Sequence, residues 1–364
     1  MKVGILGGGQ LARMIALAGY PLGLEFIVLD PAEDACAGLL CEQLLGAYDD
    51  QTLLAELAAK ADVVTYEFEN VPAEVAAFLS ARTAVYPPPQ ALATAQDRLL
   101  EKDFFQQLGI PTPPYADVTS LQQFTGVMAQ IGWPAILKTR RMGYDGKGQA
   151  VLRTPEDLAP AWQALEGAPA IVEGFVAFKR EVSIIAARSV SGEVAFYPLA
   201  QNLHNKGILR VSECCHGDAL QEQAEGYARR LLEALDYVGV LALELFELDG
   251  GLVANEFAPR VHNSGHWTIE GAQTSQFENH LRAILGWPLG DTRPEGFAAM
   301  VNFIGNNPKS EDILAMPQTH LHLYHKAGRK GRKVAHATVR TGDKAVYASL
   351  ISQLADLASR LDDS

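Results

Sequence analysis

The chain contains no uninterrupted apolar run of about 18 residues, the length that a membrane-spanning helix needs. Its apolar N-terminal segment is interrupted by Gln10 and Arg13, which makes it a poor signal peptide. The four cysteines, at positions 36, 41, 214 and 215, show no zinc-type pairing, and the adjacent two would form only a strained disulfide. We therefore expect a cytoplasmic protein without a membrane span.

Positive charge is also scarce, with 30 Lys and Arg residues against 43 Asp and Glu residues and a net charge of -13. This balance argues against a nucleic-acid partner. Residues 326–333, KAGRKGRK, are the exception, since they place five cations in eight positions. A solvated loop would explain them, but such a run in an acidic protein indicates a local anion, most simply a phosphate. The 364 residues, 48% of them hydrophobic, suffice for about two or three domains.

Strand-like and helix-like patterns alternate over residues 1–90. The strand patterns cover 3–6, 25–30 and 62–68, and the helix patterns cover 10–19, 51–60 and 72–81. This alternation predicts a Rossmann-like parallel sheet with helices on both faces. Gly7-x-Gly9-x-x-Ala12 matches the dinucleotide fingerprint, and Asp30 closes the second strand where a ribose-binding acid would stand. One hypothesis is therefore an NAD(P)-dependent oxidoreductase, although the glycines also suit another anionic ligand at the helix N-terminus.

Acidic side chains end the third of these strands. Glu67 and Glu69, in TYEFEN at 65–70, stand where open α/β sheets place ligand contacts, so both are candidate site residues. Charges near a helix N-terminus would explain them equally well. The prolines at 87–89 predict a domain boundary, after which a helix is predicted from Thr94 to Leu108 and another over 121–132.

A second glycine-rich segment, GYDGKG at 143–148, lies between strands predicted at 135–138 and 149–153. Its three glycines allow backbone N–H groups to converge on phosphate oxygens, and Lys138 and Lys147 supply positive charge. It is not a Walker loop, because it joins two strands and lacks the GxxxxGK[ST] pattern. An ordinary long hairpin is the alternative. Downstream, a strand at 170–175 contains Glu173 and a strand at 180–187 contains Glu181, which suit a nucleobase edge and a ribose or simply a sheet.

Residues 240–257 predict a β-hairpin that carries two carboxylates. The strands are predicted at 240–248 and 252–257, with 249–251, Asp-Gly-Gly, as the turn. If Leu248 pairs with Leu252, Glu244 lies directly opposite Glu256, with Cβ atoms about 5 Å apart. Such a pair could hold a divalent cation, and hard oxygen ligands favour magnesium. A solvated strand face is the alternative, and a slip of one residue would move Glu256 to the other face.

The loop after this hairpin, PRVHNSGHW at 259–267, concentrates polar side chains. Arg260 can bind a carboxylate or phosphate bidentately, while Asn263 and Ser264 supply neutral donors and acceptors beside His262. Each residue alone could be a local hydrogen-bonder. Together they predict a site for an anionic substrate.

The order of these features resembles the ATP-grasp superfamily: a lysine in a strand, a glycine-rich hairpin, an apolar strand ending in glutamate, and a late carboxylate hairpin. Within it, the chain is similar over nearly its whole length to the N5-carboxyaminoimidazole ribonucleotide synthetase family. HNSGHW at 262–267 and GRKVxH at 331–336 are together specific to this family. Further matching segments are GGQL at 8–11, YEFEN at 66–70, GYDGKGQ at 143–149, FYP at 196–198, NLH at 202–204 and NEFAPRVHNSGHWT at 255–268.

The resemblance implies a nucleotide site with bound ATP and Mg²⁺. The metal ligands would be Glu244 and Glu256, without a third protein ligand, because Ala258 stands where many members of the superfamily have Asn. The implied ATP-binding positions are Arg98, Lys138, Gly143, Gly146, Lys147, Gly148, Glu173, Gly174, Phe175, Val176, Glu181, His204, Asn255 and Glu256.

The resemblance also implies the acceptor substrate and the reaction. The implied activity is ATP-dependent carboxylation of 5-aminoimidazole ribonucleotide with bicarbonate, through carboxyphosphate, in purine biosynthesis; another ATP-grasp carboxylate-amine ligase is the alternative. The catalytic positions would be Glu67, Tyr144, Asp145, Lys147, Arg260, His262 and Asn263, and the substrate-binding positions Ser264, Lys326 and Arg332.

The implied fold is α/β and α+β. A Rossmann-like domain would cover 1–93, a small ATP-grasp subdomain 94–180, and a large subdomain with a small C-terminal phosphate-binding region 181–364. The resemblance further implies a homodimer.

Overall fold

The computed structural model describes residues 1–143 and 148–362. Its α/β and α+β fold contains three sheets in chain order: a parallel five-stranded sheet, an antiparallel four-stranded sheet and an antiparallel nine-stranded sheet. None of the helices in these two stretches is long and apolar enough to cross a membrane. All four cysteines are free thiols.

The N-terminal sheet has the strand order β3-β2-β1-β4-β5, and all its pairs are parallel. Side chains of β2 alternate between two cores, as a strand covered on both faces requires. Phe26 and Val28 pack with α1, whereas Ile27 and Leu29 pack with α2 and α3. The predicted sheet is thus confirmed. Its elements are β1 (Lys2–Leu6), α1 (Gln10–Gly19), β2 (Glu25–Asp30), β3 (Glu42–Leu45), α2 (Gln51–Lys60), β4 (Val63–Tyr66), α3 (Ala73–Ser80) and β5 (Ala84–Val85).

Two helices and the four-stranded sheet follow. The helix predicted from Thr94 to Leu108 is in fact two helices, because the Asp97 side chain accepts a hydrogen bond from Leu99 N (3.1 Å) and starts a new helix. Pro89 lies in the first turn of the earlier helix, where its missing N–H has no cost. The elements are α4 (Pro89–Ala95), α5 (Arg98–Gln107), β6 (Tyr115–Val118), α6 (Leu121–Ile131), β7 (Ala135–Thr139), β8 (Gln149–Leu152), α7 (Leu158–Ala164) and β9 (Ala170–Gly174), with strand order β6-β9-β7-β8.

The large sheet contains the predicted carboxylate hairpin and also the C-terminal strands. Its strands and the helices that accompany them in the chain are β10 (Arg180–Arg188), β11 (Val194–Phe196), β12 (Ala200–Asn205), β13 (Ile208–Cys214), α8 (Gln221–Ala234), β14 (Gly239–Leu248), β15 (Gly251–Ala258), α9 (Thr268–Gly271), α10 (Gln276–Ile284), β16 (Phe297–Gly305), α11 (Ser310–Leu314), β17 (Thr319–Leu323), β18 (Arg329–Thr341) and α12 (Lys344–Asp362). The order is β15-β14-β10-β12-β13-β16-β18-β17, with β11 paired to β10. Because β13 pairs with β16, the C-terminal region continues the sheet that carries the hairpin.

Candidate active site

The hairpin of β14 and β15 places Glu244 directly opposite Glu256, as predicted, but by a different route. The turn has two residues, so Leu248 pairs with Gly251, and the predicted pairing with Leu252 is wrong. A β-bulge then shifts the register between Glu244 and Leu245 and leaves Asn255 as the extra residue. The shorter turn and the bulge offset each other, and the two carboxylates face each other.

The two carboxylates carry different charge. Burial raises the pKa of Glu256, but the Arg98 guanidinium, 2.6 Å away, outweighs burial and lowers it to about 2. Burial and then the facing Glu256 raise the pKa of Glu244 to about 7. The ring of His262 lies beside this second carboxylate, with Nε2 3.2 Å from Oε1 of Glu244. Near neutral pH the pair therefore holds one fixed negative charge and one proton-sensitive group.

This pair suits a divalent cation. A cation between two facing carboxylates would relieve the repulsion that contributes to the raised pKa of Glu244. Within residues 1–143 and 148–362, no three His, Cys, Asp or Glu side chains are grouped to hold a metal. Magnesium is commonly held by one or two carboxylates together with substrate phosphates, which matches a pair of this kind.

Helix α5 supports the hairpin with three side chains at positions i, i+3 and i+4. Arg98 pairs with Glu256, Glu101 accepts a hydrogen bond from Phe257 N (2.7 Å), and Lys102 donates to the carbonyl oxygen of Asn255 (2.6 Å). Lys102 is fully buried, and its Nζ also lies 3.4 Å from Oε2 of Glu173 in the small sheet. Glu101 and Lys102 were not predicted from the sequence, although this spacing marks one face of a helix.

Lys138 and Glu173 form the centre of the predicted nucleotide side. Nζ of Lys138 lies 3.0 Å from Oε2 of Glu173. Burial raises the pKa of Glu173, but Lys102 and Lys138 lower it to about 2, so this carboxylate is an anion. Its other oxygen, Oε1, is buried without a hydrogen-bond partner among the described residues. That free acceptor is available to a donor such as the amino group of adenine.

The residues after β9 and the start of the large sheet complete this side. Gly174 is buried at the end of β9, Phe175 is 48% exposed and Val176 is half-buried. Glu181 on β10 pairs with the Nδ1 atom of His204 on β12. Burial favours the neutral ring, but the Glu181 carboxylate outweighs it and raises the pKa of His204. The structure thus brings these two predicted residues into direct contact.

The glycine loop is only partly described. Tyr144, Asp145, Gly146 and Lys147 lie outside the described residues. Arg98 Nη2 lies 3.5 Å from the carbonyl oxygen of Gly143, so the start of the loop is adjacent to the carboxylate pair. Gly148 has a φ of +70°, and a Cβ there would lie 2.6 Å from Oγ1 of Thr139. Glycine is therefore required where the loop re-enters β8.

On the acceptor side, the loop after β15 is bound from several directions. Arg260 forms an ion pair with Glu69, and this guanidinium outweighs burial to lower the pKa of Glu69. Asn263 exchanges two hydrogen bonds with the buried side chain of Asn302, at 3.2 and 2.7 Å. The Asn302 partner was not predicted from the sequence. Both pairs fix residues of the loop against other elements of the fold.

Ser264 is fully buried, and its hydroxyl lies 2.7 Å from Oγ of Ser183 and 2.9 Å from Nδ1 of His262. This side chain supports the His262 ring, and its predicted contact with substrate stays a prediction. The sequence did not indicate this role because Ser183 lies in a different strand.

Glu67 lies at the N-terminus of α1. Its carboxylate accepts hydrogen bonds from Gly9 N (2.9 Å), Leu11 N (3.2 Å) and Ala12 N (3.3 Å). These bonds fit the alternative of a charge at a helix N-terminus, and the catalytic role near the carboxylation site stays a prediction. Burial raises the pKa of Glu67, and Lys326 partly offsets this effect.

Asp30 is likewise engaged within the protein. It accepts hydrogen bonds from Gly8 N (2.7 Å) and from the Tyr48 hydroxyl (2.9 Å). The carboxylate that the oxidoreductase hypothesis assigned to a ribose thus supports the glycine turn instead.

The basic run lies next to the N-terminus of α1. Lys326 donates to the side-chain oxygen of Gln10, the first residue of that helix. Arg332 donates to the carbonyl oxygen of Ala327 at 3.3 Å. Lys326 therefore contacts the N-terminal region, whereas residues 327–331 of the run are exposed.

Comparison with known proteins covers the chain in three parts. The ribonucleotide synthetase preATP-grasp domain matches residues 1–96, the ATP-grasp domain 103–277, and the phosphoribosylaminoimidazole carboxylase C-terminal domain 298–348. The chain is 55% identical over 354 residues to the N5-carboxyaminoimidazole ribonucleotide synthase of Pseudomonas aeruginosa, with 97% of this chain and 98% of that relative covered.

Solved structures agree with these matches. The crystal structure of N5-carboxyaminoimidazole ribonucleotide synthetase from Thermus thermophilus has a TM-score of 0.94 and 54% identity, covering 98% of both chains. The N5-carboxyaminoimidazole synthase of Aspergillus clavatus, solved in complex with ADP and 5-aminoimidazole ribonucleotide, has a TM-score of 0.92 and 30% identity, covering 99% of this chain and 98% of that one. The chain belongs to the N5-carboxyaminoimidazole ribonucleotide synthase family of ATP-grasp ligases.

Proposed function

We propose that this enzyme uses ATP and bicarbonate to carboxylate the exocyclic amine of 5-aminoimidazole ribonucleotide, giving N5-carboxyaminoimidazole ribonucleotide in purine biosynthesis. The observation that carries the proposal is the position of the Glu244 and Glu256 pair. Glu256 contacts Arg98 on the nucleotide side, and Glu244 contacts His262 on the acceptor side. A relative with the same fold has been solved with ADP and this ribonucleotide together.

ATP would lie between the small and large sheets. Lys138 and Arg98 would bind its phosphates, and the unpaired Oε1 of Glu173, with the backbone from Gly174 to Val176, would receive the adenine. Glu181 and His204 would bind the ribose side of the nucleotide. Gly143, Gly146, Lys147 and Gly148 would cover the phosphates, and Asn255 would stand beside the metal ligands.

Magnesium would be held by Glu244 and Glu256. When bound, it would neutralise the charge of the phosphate oxygens and polarise the transferred phosphoryl group. Arg98 would then serve both the Glu256 carboxylate and the nucleotide phosphates, which offsets the negative charge that gathers there.

The acceptor would bind on the other side of the pair. Arg260, His262 and Asn263 would contact the ribonucleotide, and Lys326 and Arg332 would hold its phosphate, which explains a basic run on an acidic protein. A phosphate monoester carries a charge of about −1.5 to −2 at neutral pH, so two cations suit it well.

The reaction would proceed in two steps. A bicarbonate oxygen attacks the γ-phosphorus of ATP, giving carboxyphosphate and ADP, while Lys138 and Arg98 offset the developing charge. The amine then forms a C–N bond to the carboxyl carbon, and inorganic phosphate leaves. Asp145 would accept the amine proton and Tyr144 would orient the acceptor, while the closed glycine loop would exclude water from carboxyphosphate.

The finer organisation is part of the proposal. We infer a cytoplasmic homodimer in which residues 1–93, 94–180 and 181–364 are the three functional regions. The free thiols at all four cysteines suit a reducing compartment.

Phosphate release from Mg-ATP tests the function directly. Release should require both 5-aminoimidazole ribonucleotide and bicarbonate, and the carboxylated product should form in equal amount. Release that is stimulated by a different amine or carboxylate would instead indicate another ATP-grasp carboxylate-amine ligase. Asp145→Asn, which keeps the size of the side chain, should largely abolish carboxylation, and near-normal turnover at saturating substrates would refute the role of Asp145.

A further inference from the structure

We propose that Gln276 is the positioning residue of the acceptor loop, holding His262 at the distance from Glu244 that ribonucleotide binding requires. The proposal rests on the proposed function, in which this loop binds 5-aminoimidazole ribonucleotide. Gln276 is the first residue of α10 and is fully buried. It lies 14 residues from His262 in sequence, outside the motif that identifies the loop.

The Gln276 side chain pairs with the backbone of His262 as a neighbouring strand would. Its Oε1 accepts from His262 N at 2.9 Å, and its Nε2 donates to His262 O at 2.6 Å. The orientation of the amide is fixed by these partners, because a backbone N–H requires an acceptor and a carbonyl requires a donor. One side chain thus fixes both polar backbone groups of the residue whose ring contacts Glu244.

The other end of the loop is fixed through the same residue. Thr268 Oγ1 accepts from Gln276 N (3.0 Å) and donates to Gly265 O (2.6 Å). Gly265 packs so closely that a Cβ there would lie 2.7 Å from Cδ of Gln276. The segment from His262 to Gly265 is therefore held at both of its ends by Gln276.

This backbone pairing determines where the His262 ring lies. Nδ1 contacts the buried Ser264 hydroxyl at 2.9 Å, and Nε2 lies 3.2 Å from Glu244. A shift of the His262 backbone would move the ring away from both partners. The described contacts of the Gln276 side chain are with the acceptor loop, so its loss should affect ribonucleotide binding far more than ATP binding.

The near-isosteric variant Gln276→Glu tests this role. An ionised carboxylate still accepts from His262 N but faces the carbonyl oxygen of His262 without a proton to donate. Burial raises the pKa of the introduced carboxyl. Above that pKa we expect the KM for 5-aminoimidazole ribonucleotide to rise about ten-fold or more, with the KM for ATP nearly unchanged. A protonated carboxyl has both an acceptor and a donor, like the amide, so the defect should shrink as the pH falls.

The pH dependence expected for Gln276→Glu depends on the titratable groups around the introduced carboxyl. The titratable side chains that face it are those of His262 and His266. Nδ1 of His266 lies 3.4 Å from Nε2 of Gln276. In the wild type, burial lowers the pKa of His266 well below its usual value, so the ring beside the Gln276 amide is neutral there. Each measurement is expressed relative to the wild type at the same pH, which removes effects common to both enzymes.

Gln221 provides a matched control. It is also the first residue of a helix, α8, and its side chain pairs with backbone in the same way, accepting from Leu199 N (2.8 Å) and donating to Tyr197 O (3.0 Å). Gln221→Glu should leave both KM values close to those of the wild type. An equal rise in ribonucleotide KM in Gln221→Glu would overturn the proposal, as would an equal rise in both KM values in Gln276→Glu.

A second variant reaches the same contact from the loop side. Gly265→Ala should displace the Gln276 side chain and raise the ribonucleotide KM without recovery at low pH, since it introduces no titrating group. An unchanged ribonucleotide KM in Gly265→Ala would overturn the positioning role even if Gln276→Glu failed to fold. Absence of ribonucleotide-dependent turnover in the wild type would refute the proposed function itself, and this proposal with it.

Discussion

The hydroxyl of Thr65, on β4 of the N-terminal sheet, lies 2.9 Å from Nε2 of His280 on α10. The other ring nitrogen, Nδ1, accepts a hydrogen bond from Val240 N on β14 at 3.1 Å. Nδ1 therefore carries no proton. The proton of the neutral ring is on Nε2, which donates a hydrogen bond to the Thr65 hydroxyl. Thr65, Val240 and His280 are fully buried. One neutral imidazole thus joins the N-terminal sheet to the sheet that carries the active-site hairpin.

This imidazole should make stability sensitive to acid. Burial lowers the pKa of His280 from 6.5 to about 4. Below about pH 6.5 the unfolded chain binds a proton that the folded protein excludes, so the free energy of unfolding should fall by about 3 kcal/mol as the pH drops to about 4. The free energy of unfolding, measured with urea across this range, should change less with pH in His280→Gln than in the wild type. In the exposed variant His325→Gln it should change with pH as in the wild type. An equal pH dependence in all three proteins would contradict the prediction.

Metal binding should depend on the protonation of Glu244. Below about pH 7 this carboxylate holds a proton that a cation must displace, so added Mg-ADP should raise the Tm more above pH 7 than below it. Without metal, stability changes with pH in the opposite direction. The pKa of Glu244 in the folded state exceeds its ordinary value of 4.5, so the free energy of unfolding falls as the pH rises from about 4.5 through 7. Glu244→Gln should reduce the Mg-ADP effect and remove its pH dependence, whereas the exposed Glu25→Gln should retain both.

Lys102 should matter more for stability than its absence from the sequence motifs indicates. Lys102→Met removes one of the two cations beside Glu173, of which Lys138 remains, and it removes the donor to Asn255 O. We expect a loss of about 1–3 kcal/mol in the free energy of unfolding and a raised KM for ATP. Urea denaturation and steady-state kinetics measure both effects. The exposed Lys60→Met, which also removes two ion pairs, should change neither appreciably.

The basic run should act on ribonucleotide binding. Arg332→Ala and Lys326→Ala should each raise the KM for 5-aminoimidazole ribonucleotide about ten-fold or more, with a smaller effect on kcat, because they remove charge from the phosphate site. Lys330→Ala, on an exposed residue of the same run, is the matched control. An unchanged KM in Arg332→Ala would refute phosphate binding at that position.

Local patterns predicted the N-terminal elements well, because periodicity reflects which residues face a core. The bounds of α1 and α2 agree residue for residue with the predicted 10–19 and 51–60. The division of 94–108 into two helices was missed, since the capping bond from Leu99 N to Asp97 is made by a side chain that periodicity does not read.

Contacts between residues that are distant in sequence limited how much of the site could be predicted. The register of Glu244 and Glu256 was predicted correctly from a turn that is one residue too long, because the bulge at Asn255 supplied the missing residue. The carbonyl of that bulge is bound by Lys102, 153 residues earlier in the chain. A motif of adjacent residues contains no trace of such a contact, and the same holds for Ser183 beside Ser264 and for Asn302 beside Asn263.

The carboxylate of Glu67 explains the glycine fingerprint of the N-terminal sheet. The backbone N–H groups at the start of α1 are the ones that bind a pyrophosphate in dinucleotide-binding proteins, and here a side chain of the same chain already binds them. Gly7 and Gly9 leave room for that carboxylate, since a Cβ at either position would lie 2.5 Å or less from a Glu67 atom. A motif that signals nucleotide binding in other proteins thus accommodates an internal ligand here.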